Sequence, residues 1–198
     1  MTFDILSSLI VFAFVSSATP GPNNLMLMAS GANYGFTRSI PHMLGISVGF
    51  ALMIVLVGAG LAQIFERLPI SYTILKVVSV LYLAYLAWRI ATAAPLDRSS
   101  DKARPLTFAQ AAAFQWVNPK AWAMALTALS VYAPGQTLTA FALVAAVFGC
   151  VNLPSITFWT VLGQQMARVL TNRTRLQIFN RVMAALLILS LYPVLKPF

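Results

Sequence analysis

The residues best suited to chemistry in this sequence lie in two polar interruptions of long apolar stretches. The first interruption consists of Thr19, Pro20, Gly21, Pro22, Asn23 and Asn24, and the second consists of Asn118, Pro119 and Lys120. Asparagine amides and a lysine amine can bind a polar ligand, and they can also satisfy backbone groups that lose their helical partners. Both interruptions are therefore candidate binding sites.

Each interruption contains the residues that break a helix. Proline has no backbone N–H and clashes with the preceding turn, so Pro20-Gly21-Pro22 cannot continue an α-helix. In lipid, a break is tolerated where it lines a cavity or is buried by protein. The N-terminus of a half-helix suits a carboxylate, and free carbonyls at a C-terminus suit an ammonium group. Two breaks at one interface therefore predict a site for a zwitterion such as an amino acid, although a proline in a membrane helix is often only a kink.

Lys120 is the most unusual of these residues because it lies about thirteen residues into an apolar stretch. A central lysine costs about 2.5–3.5 kcal/mol on insertion scales. Asp4 is the one acidic residue within the apolar stretches, and it lies near the opposite end of the sequence. We hypothesise that Lys120 pairs with a substrate carboxylate, or with freed carbonyls when no substrate is bound. The alternative is that its amine extends to a membrane interface.

Further polar residues are weaker candidates, and Gln115, Gln164 and Gln165 are among them. Asn152, close to Pro154, predicts a bend that contributes to the binding path. His42, the only histidine, could carry a coupled proton. A single histidine at the start of a span is more often an interfacial residue.

The composition places these residues in a membrane protein. Sixty per cent of the residues are hydrophobic and 9% are charged, whereas soluble chains carry roughly 25% charged residues. The fold prediction is one all-α transmembrane domain, residues 1–198, with six spans of which the first and fourth are broken. The spans are predicted at about 3–34, 41–65, 70–94, 106–133, 137–166 and 176–197.

The basic residues predict the orientation. The first, third and fifth connections with their flanks hold nine of them, and the opposite side holds three. The nine are Arg38, Arg89, Arg98, Lys102, Arg104, Arg168, Arg173, Arg175 and Arg181; the three are Arg67, Lys76 and Lys196. By the positive-inside rule the odd connections are cytoplasmic, so both termini are expected outside. The start of the chain carries Asp4 and lacks a basic segment, so we expect the first span to be retained rather than cleaved as a signal peptide.

The two halves of the chain predict an inverted repeat. The polar linker 95–105 separates halves 1–94 and 106–198, each with three spans, so the second half enters from the opposite side. Pro20 and Pro119 are 99 residues apart, and each is followed by a run rich in Met and Ala.

Several function classes are disfavoured. The net charge of +9 does not indicate nucleic-acid binding, because the basic residues lie between apolar runs rather than on one basic face. One cysteine, Cys150, and one histidine provide neither a disulfide nor a usual metal site. No enzyme or phosphate-loop motif is present, so no catalytic residue, metal or cofactor is expected. The Gly-xxx-Gly pairs Gly31/Gly35 and Gly45/Gly49 predict close internal packing, with a homo-oligomer as the alternative.

Four segments of the sequence resemble the LysE/RhtB family of amino-acid exporters. They are Thr19–Asn24, Asn118–Lys120, Leu44-Gly45 with Gly49, and Tyr82–Arg89. The resemblance extends over essentially the whole chain. Ser79 and Ala87 depart from it, because many members have glycine at these positions.

The resemblance implies a secondary transporter of the bacterial inner membrane, driven by the proton motive force. Family substrates include lysine, threonine, homoserine, leucine, cysteine and O-acetylserine. The Pro-Gly-Pro-Asn-Asn segment and the stretch Ala87–Thr92 are most similar to the cysteine/O-acetylserine subgroup. The expected partners are a small amino-acid substrate and membrane lipid.

Three other classes compete with this interpretation. A thiol–disulfide relay needs a cysteine pair, and the chain has one cysteine. A divalent-metal exporter would need intramembrane histidines or carboxylates, which are nearly absent from the apolar stretches. The third class is a membrane scaffold or sensor that transports nothing, and a stable partner protein would favour it.

Overall fold

The chain folds into helices in the computed structural model, which describes residues 1–61, 63, 67–68, 70–93, 104–133 and 135–192. These residues contain no β-strand, and the predicted all-α class is confirmed. The eight described α-helices are α1 Phe3–Ala18, α2 Pro22–Tyr34, α3 Phe36–Leu56, α4 Ile70–Ala91, α5 Phe108–Phe114, α6 Pro119–Tyr132, α7 Leu138–Val169 and α8 Arg173–Leu189. A π-helical turn, Val57–Leu61, extends α3, and a 3-10 turn, Gln115–Val117, follows α5.

Length and hydropathy identify three uninterrupted helices that can cross a membrane. They are Phe36–Leu61, Ile70–Ala91 and Leu138–Val169, and the pair α1 and α2, bent by 54°, adds a fourth crossing if it is one broken span. The predicted sixth span is represented by α8, which has 17 described residues. The predicted fourth span is divided between α5, its 3-10 turn and α6. The chain is therefore a multi-pass membrane protein, whereas the count of six remains a prediction.

The boundary predicted between the first two spans is wrong. We expected the second span to begin near Pro41, but α3 begins at Phe36 and includes Pro41. The turn between α2 and α3 is a single residue, Gly35, whose φ of 80° lies in the left-handed region that favours glycine. Gly35 therefore ends the helix, and nothing lies within 4 Å of the position that a Cβ would take there.

Helix α7 lies at the centre of the bundle and packs against α1, α2 and α3. The helices approach closely where glycines remove side chains. A Cβ on Gly31 would overlap the carbonyl oxygen of Thr160, and a Cβ on Gly163 would overlap that of Met28. Gly45 and Gly49 let α3 approach α5 in the same way. These three sequence-predicted glycines, Gly31, Gly45 and Gly49, thus mediate internal packing.

The distribution of polarity is that of a protein surrounded by lipid. Large apolar side chains face outward, including Phe14, Leu81 and Leu189. Polar side chains are buried between the helices, notably Asn24, Gln115 and Asn180. Water on all sides would hydrate this exposed apolar area unfavourably, so lipid is the expected surrounding of the helices.

Several sequence predictions lie wholly or partly outside the described residues, including the ends of the second, third and sixth spans. They also include most of the linker 95–105, Pro134 in the fourth connection, and the basic residue Lys196 near the end of the chain.

Candidate functional site

The first break is formed by an extended segment between α1 and α2. Helix α1 ends at Ala18, and α2 resumes at Pro22 with Gly21 in an extended conformation (φ −169°, ψ 178°). Pro22 occupies the first helical position, where a missing N–H leaves no bond unmade. Extended backbone suits any residue, so conformation alone does not require a glycine at position 21.

Side chains satisfy the carbonyls that this break leaves without helical partners. The Asn24 amide donates to Ser17 O at 2.8 Å and to Thr19 O at 3.0 Å. From α7, Ser155 Oγ donates to Ser17 O at 2.9 Å and Trp159 Nε1 donates to Ala18 O at 3.3 Å. The end of α1 is thus fixed by the start of α2 and by the central helix.

The second break is capped by its asparagine. After the 3-10 turn, Asn118 takes an extended conformation, and its Oδ1 accepts a hydrogen bond from the backbone N–H of Lys120 at 3.1 Å. Pro119 is the first residue of α6. Trp122 Nε1 donates to Trp116 O at 2.8 Å and connects the two sides of the break.

The two breaks meet through two direct contacts. Lys120 Nζ donates to Thr19 O at 2.6 Å. Asn23 and Gln115 form a reciprocal amide pair, in which Asn23 Nδ2 donates to Gln115 Oε1 at 2.8 Å and Gln115 Nε2 donates to Asn23 Oδ1 at 3.2 Å. Residues about a hundred positions apart are therefore held together by polar contacts inside the helical bundle.

Gly21 makes room for the lysine side chain. A Cβ at this position would lie 2.7 Å from Lys120 Cδ and 3.1 Å from Nζ. Any larger residue would displace the lysine, so the requirement for glycine here comes from the contact across the two breaks rather than from backbone conformation.

A cavity of about 30 Å³ lies between the breaks. Its walls include Gly21, Asn23, Asn24, Gln115, Asn118, Lys120 and Asn152. Two of its polar groups make no hydrogen bond within the described part of the chain, namely the buried Ser17 Oγ and the Asn152 amide. A volume of this size holds about one or two water molecules. An amino acid would fit only after the breaks separate or the Lys120 side chain moves.

The predicted binding residues divide into two groups in the structure. Gly21, Asn23, Asn24, Asn118, Lys120 and Asn152 line the cavity. Thr19 contributes its carbonyl oxygen, while its hydroxyl donates to Val15 O at 2.6 Å. Pro20 is exposed, and Pro22 and Pro119 begin the half-helices without lining the cavity. The prolines therefore shape the site and the amides and lysine face it.

His42 lies elsewhere in the molecule. Its side chain is buried, at 2% exposure, and whether it lies at the depth of a membrane interface stays a prediction. It lies inside α3, which begins six residues before it, and faces a different cavity from the one at the breaks.

Sequence reasoning gave too little weight to several residues of the site. Gln115 was only a weak candidate because it lies outside the Asn-Pro-Lys segment, although it pairs with Asn23. Ser17, Ser155 and Trp159 were not singled out at all as site residues. Ser17 contacts Asn24, and Ser155 and Trp159 lie within two helical turns of Asn152. Their spacing from Asn152 was the sequence signal that could have identified the last two as site residues.

The arrangement can bind a small polar molecule through one positive charge, a backbone carbonyl oxygen and side-chain amides. Lys120 provides a donor for an anion, while Thr19 O and the asparagine oxygens provide acceptors for an ammonium group. Within the described residues, no group of three or more His, Cys, Asp or Glu side chains is positioned to hold a metal ion.

Comparisons with known proteins agree with this architecture. A family model described as LysE type translocator matches residues 14–190. The cysteine/O-acetylserine efflux protein of Escherichia coli (strain K12) is 33% identical over 138 residues, which cover 69% of this chain and 70% of that protein. Proteins with the same description from Shigella sonnei (strain Ss046) and Shigella flexneri serotype 5b (strain 8401) match with the same identity and coverage. No solved structure gives a significant match.

Long apolar helices around a small cavity lined by asparagines and a lysine are those of a multi-pass membrane protein, and the family match identifies it as a transporter. The chain belongs to the LysE type translocator family, as its sequence motifs indicated, and it is not an enzyme.

Proposed function

We propose that this protein is a secondary active transporter that exports amino acids or their derivatives across the bacterial inner membrane. The expected substrates are neutral and polar, such as cysteine, O-acetylserine, threonine or homoserine, and the proton motive force drives export. Family membership and the cysteine/O-acetylserine efflux relatives support this proposal. The observation that carries it is the contact between the two helix breaks, where Lys120 Nζ lies 2.6 Å from Thr19 O.

In this proposal the substrate replaces the contact between the breaks. The carboxylate binds Lys120, and the ammonium group binds the oxygen of Thr19 that the lysine leaves, together with nearby amide oxygens. Lys120 then holds the breaks together when no substrate is bound, and substrate entry separates them. The small volume of the cavity, about 30 Å³, supports a closed conformation that must open for transport.

We further propose six spans arranged as two inverted repeats, with halves 1–94 and 106–198. Helix contacts support this arrangement. The second spans of the halves, α3 and α7, pack together, as do the third spans, α4 and α8. The first half-helix of each broken span packs on the second span of the other half, α1 on α7 and α5 on α3. Pairs of equivalent elements are expected around a pseudo-two-fold axis.

The arginines support a cytoplasmic position for one end of the bundle. Arg38 and Arg104 line one cavity, Arg89 and Arg104 line another, and Arg38 and Arg168 line a third. The first, third and fifth connections thus share one basic end, as the positive-inside rule requires of cytoplasmic loops. Both termini then lie on the periplasmic side. Coupling to protons would use His42, Asp4 or titration of the substrate itself.

Export by reconstituted protein tests this proposal. Proteoliposomes loaded with radiolabelled cysteine, O-acetylserine, threonine or homoserine are followed with and without an imposed pH gradient. We expect gradient-dependent movement of at least one of them. We expect Lys120→Met to slow it roughly tenfold or more, because a hydrogen bond to a charged group contributes about 1.5–3 kcal/mol.

Lys76→Met is the matched control, because Lys76 lies on α4 away from both breaks. This variant is expected to transport like the parent. Wild-type rates for folded Lys120→Met would refute the assigned site, and absence of movement of every amino acid tested would refute amino-acid export.

A further inference from the structure

A second cavity, lined by both apolar and polar side chains, lies at the arginine-rich end of the bundle. It has a volume of about 60 Å³, twice that of the cavity at the breaks, and the two share none of their lining residues. Its polar lining comes from the end of α2, the start of α3 and the end of α4, through Ser30, Tyr34, His42 and Arg89. The transport mechanism proposed above does not use this cavity as a binding site.

His42 is the buried polar group that this cavity leaves unsatisfied. Its side chain is 2% exposed, and neither Nδ1 nor Nε2 has a hydrogen-bond partner among the described residues. An imidazole offers one donor and one acceptor when neutral, so a partner that both donates and accepts would satisfy it. Burying such nitrogens without partners is unfavourable, so a polar ligand or a water molecule placed next to them would be stabilised.

Arg89 adds a positive charge to the same cavity. One of its nitrogens, Nη2, donates weakly to Arg104 O at 3.4 Å, and its guanidinium lies 6.0 Å from the Tyr85 ring centre. In the described part of the chain the one acidic residue, Asp4, lies in the first turn of α1, and Arg89 forms no ion pair there. The guanidinium geometry suits a carboxylate, which it can bind through two hydrogen bonds.

One face of α2 connects the two cavities. Asn23 lines the cavity at the breaks, whereas Met26, Ser30 and Asn33 line the arginine-end cavity. These four residues are spaced by three, four and three positions, so they form one stripe along the helix. At 1.5 Å per residue the stripe is about 15 Å long. Met26 is 3% exposed and lies between the polar positions, where its flexible thioether can move aside.

We propose that the cavity lined by His42 and Arg89, about 60 Å³ in this closed conformation, widens to form a loading site that binds the amino acid before it reaches the helix breaks. Arg89 binds the carboxylate, His42 and Ser30 bind the ammonium end, and Met26 separates the loading site from the site at Lys120. The arginine-rich end is the side from which an exporter takes its substrate, so this inference rests on the proposed function.

The single histidine allows binding at this site to be observed directly. Protein labelled with ¹⁵N in histidine and placed in nanodiscs gives imidazole signals from His42 alone. The probes are O-acetyl-L-serine, L-cysteine and, for comparison, inorganic phosphate. We expect at least one amino acid to shift the His42 signals, in the parent and equally in Lys120→Met, because the loading site does not include the lysine. We expect Arg89→Gln to weaken the apparent affinity at least tenfold.

Arg173→Gln is the matched control, since Arg173 begins α8 and does not line the cavity; its titration should match that of the parent. Arg89→Lys provides a second test that retains the charge, and it should bind with intermediate affinity. Transport without any shift of His42 would overturn the loading site and leave the proposed function standing. A shift produced equally by phosphate, or one abolished by Lys120→Met, would also overturn it. Failure of the proposed function is seen separately, as absence of transport in proteoliposomes.

Discussion

At the scale of single residues, the site depends on a glycine, Gly21, that leaves space for the long side chain of Lys120. Gly21 has an extended backbone that any residue could adopt, yet the Lys120 side chain passes close to it. The lysine reaches Thr19 O only because position 21 has no side chain. Backbone conformation and side-chain space are thus separate requirements, and only the second requires glycine here.

Gly21→Ala tests this requirement. The new Cβ would lie 2.7 Å from Lys120 Cδ and would push the amine away from Thr19 O. We expect export to fall roughly tenfold, which corresponds to a loss of about 1.4 kcal/mol. Thermal stability should change little, because the backbone is unstrained and the end of a lysine side chain can move. Initial efflux rates from proteoliposomes and unfolding followed by size-exclusion chromatography measure the two effects; unaltered efflux would contradict the assigned contact.

The residue types of the site could be predicted from sequence, but the atoms that they use could not. A lysine and four asparagines in apolar stretches are unfavourable in lipid, so their presence already indicates a function or a partner. Thr19 shows the limit, because its hydroxyl bonds within α1 and its carbonyl contacts the lysine. Such a choice depends on the direction of the chain after the break. His42 is a second example of this limit, because its side chain is buried inside α3 and its residue type does not predict that burial.

At the scale of helices, glycines determine how closely α2 and α7 approach. Gly31 on α2 faces the backbone of Thr160, and Gly163 on α7 faces the backbone of Met28. Each glycine therefore permits a backbone contact that no other residue allows. The same crossing places Ser155 and Trp159 next to the carbonyls of the first break, so the position of the site depends on this contact.

Gly163→Ala and Gly149→Ala form a matched pair on one helix. At Gly163 the added methyl group would overlap the backbone of Met28, whereas nothing lies within 4 Å of a Cβ at Gly149. We expect Gly163→Ala to lower the free energy of unfolding by about 1–3 kcal/mol or more. Gly149→Ala should be neutral or slightly stabilising, because alanine favours helix by about 1 kcal/mol. Thermal unfolding in detergent compares the two, and equal stability of both variants would contradict the described crossing.

Helix boundaries were predictable where apolar runs are uninterrupted and less so elsewhere. The long runs that form α4 and α7 were located to within a few residues. The boundary at α3 was misplaced because Pro41 was taken as a helix start, while Gly35 is the residue that ends α2. The shortness of α5 could not be foreseen, since nothing in its apolar composition predicts the 3-10 turn at Gln115–Val117.

At the scale of the whole molecule, charge and hydropathy divide the bundle into distinct regions. Its sides are apolar, its interior contains asparagine and glutamine, and its arginines line cavities at one end. The proposed loading site lies at that end, and the stripe on α2 leads inward from it to the breaks. This order, with the loading site first and the helix breaks second, suits an exporter only if the arginine end faces the cytoplasm.

Cysteine labelling tests the orientation, because the chain has a single native cysteine, Cys150, that can be replaced by serine. In that background, Gln136→Cys precedes α7 and Asn172→Cys follows it, so the two positions lie at opposite ends of the longest described helix. A membrane-impermeant maleimide should label Gln136→Cys in spheroplasts of a Gram-negative host. It should label Asn172→Cys only after permeabilisation, because the arginines around the latter position retain it in the cytoplasm. The reverse pattern would place the loading site on the outside, and export through the proposed sequence of sites would have to be abandoned. Equal labelling of both positions before permeabilisation would show that α7 does not cross the membrane.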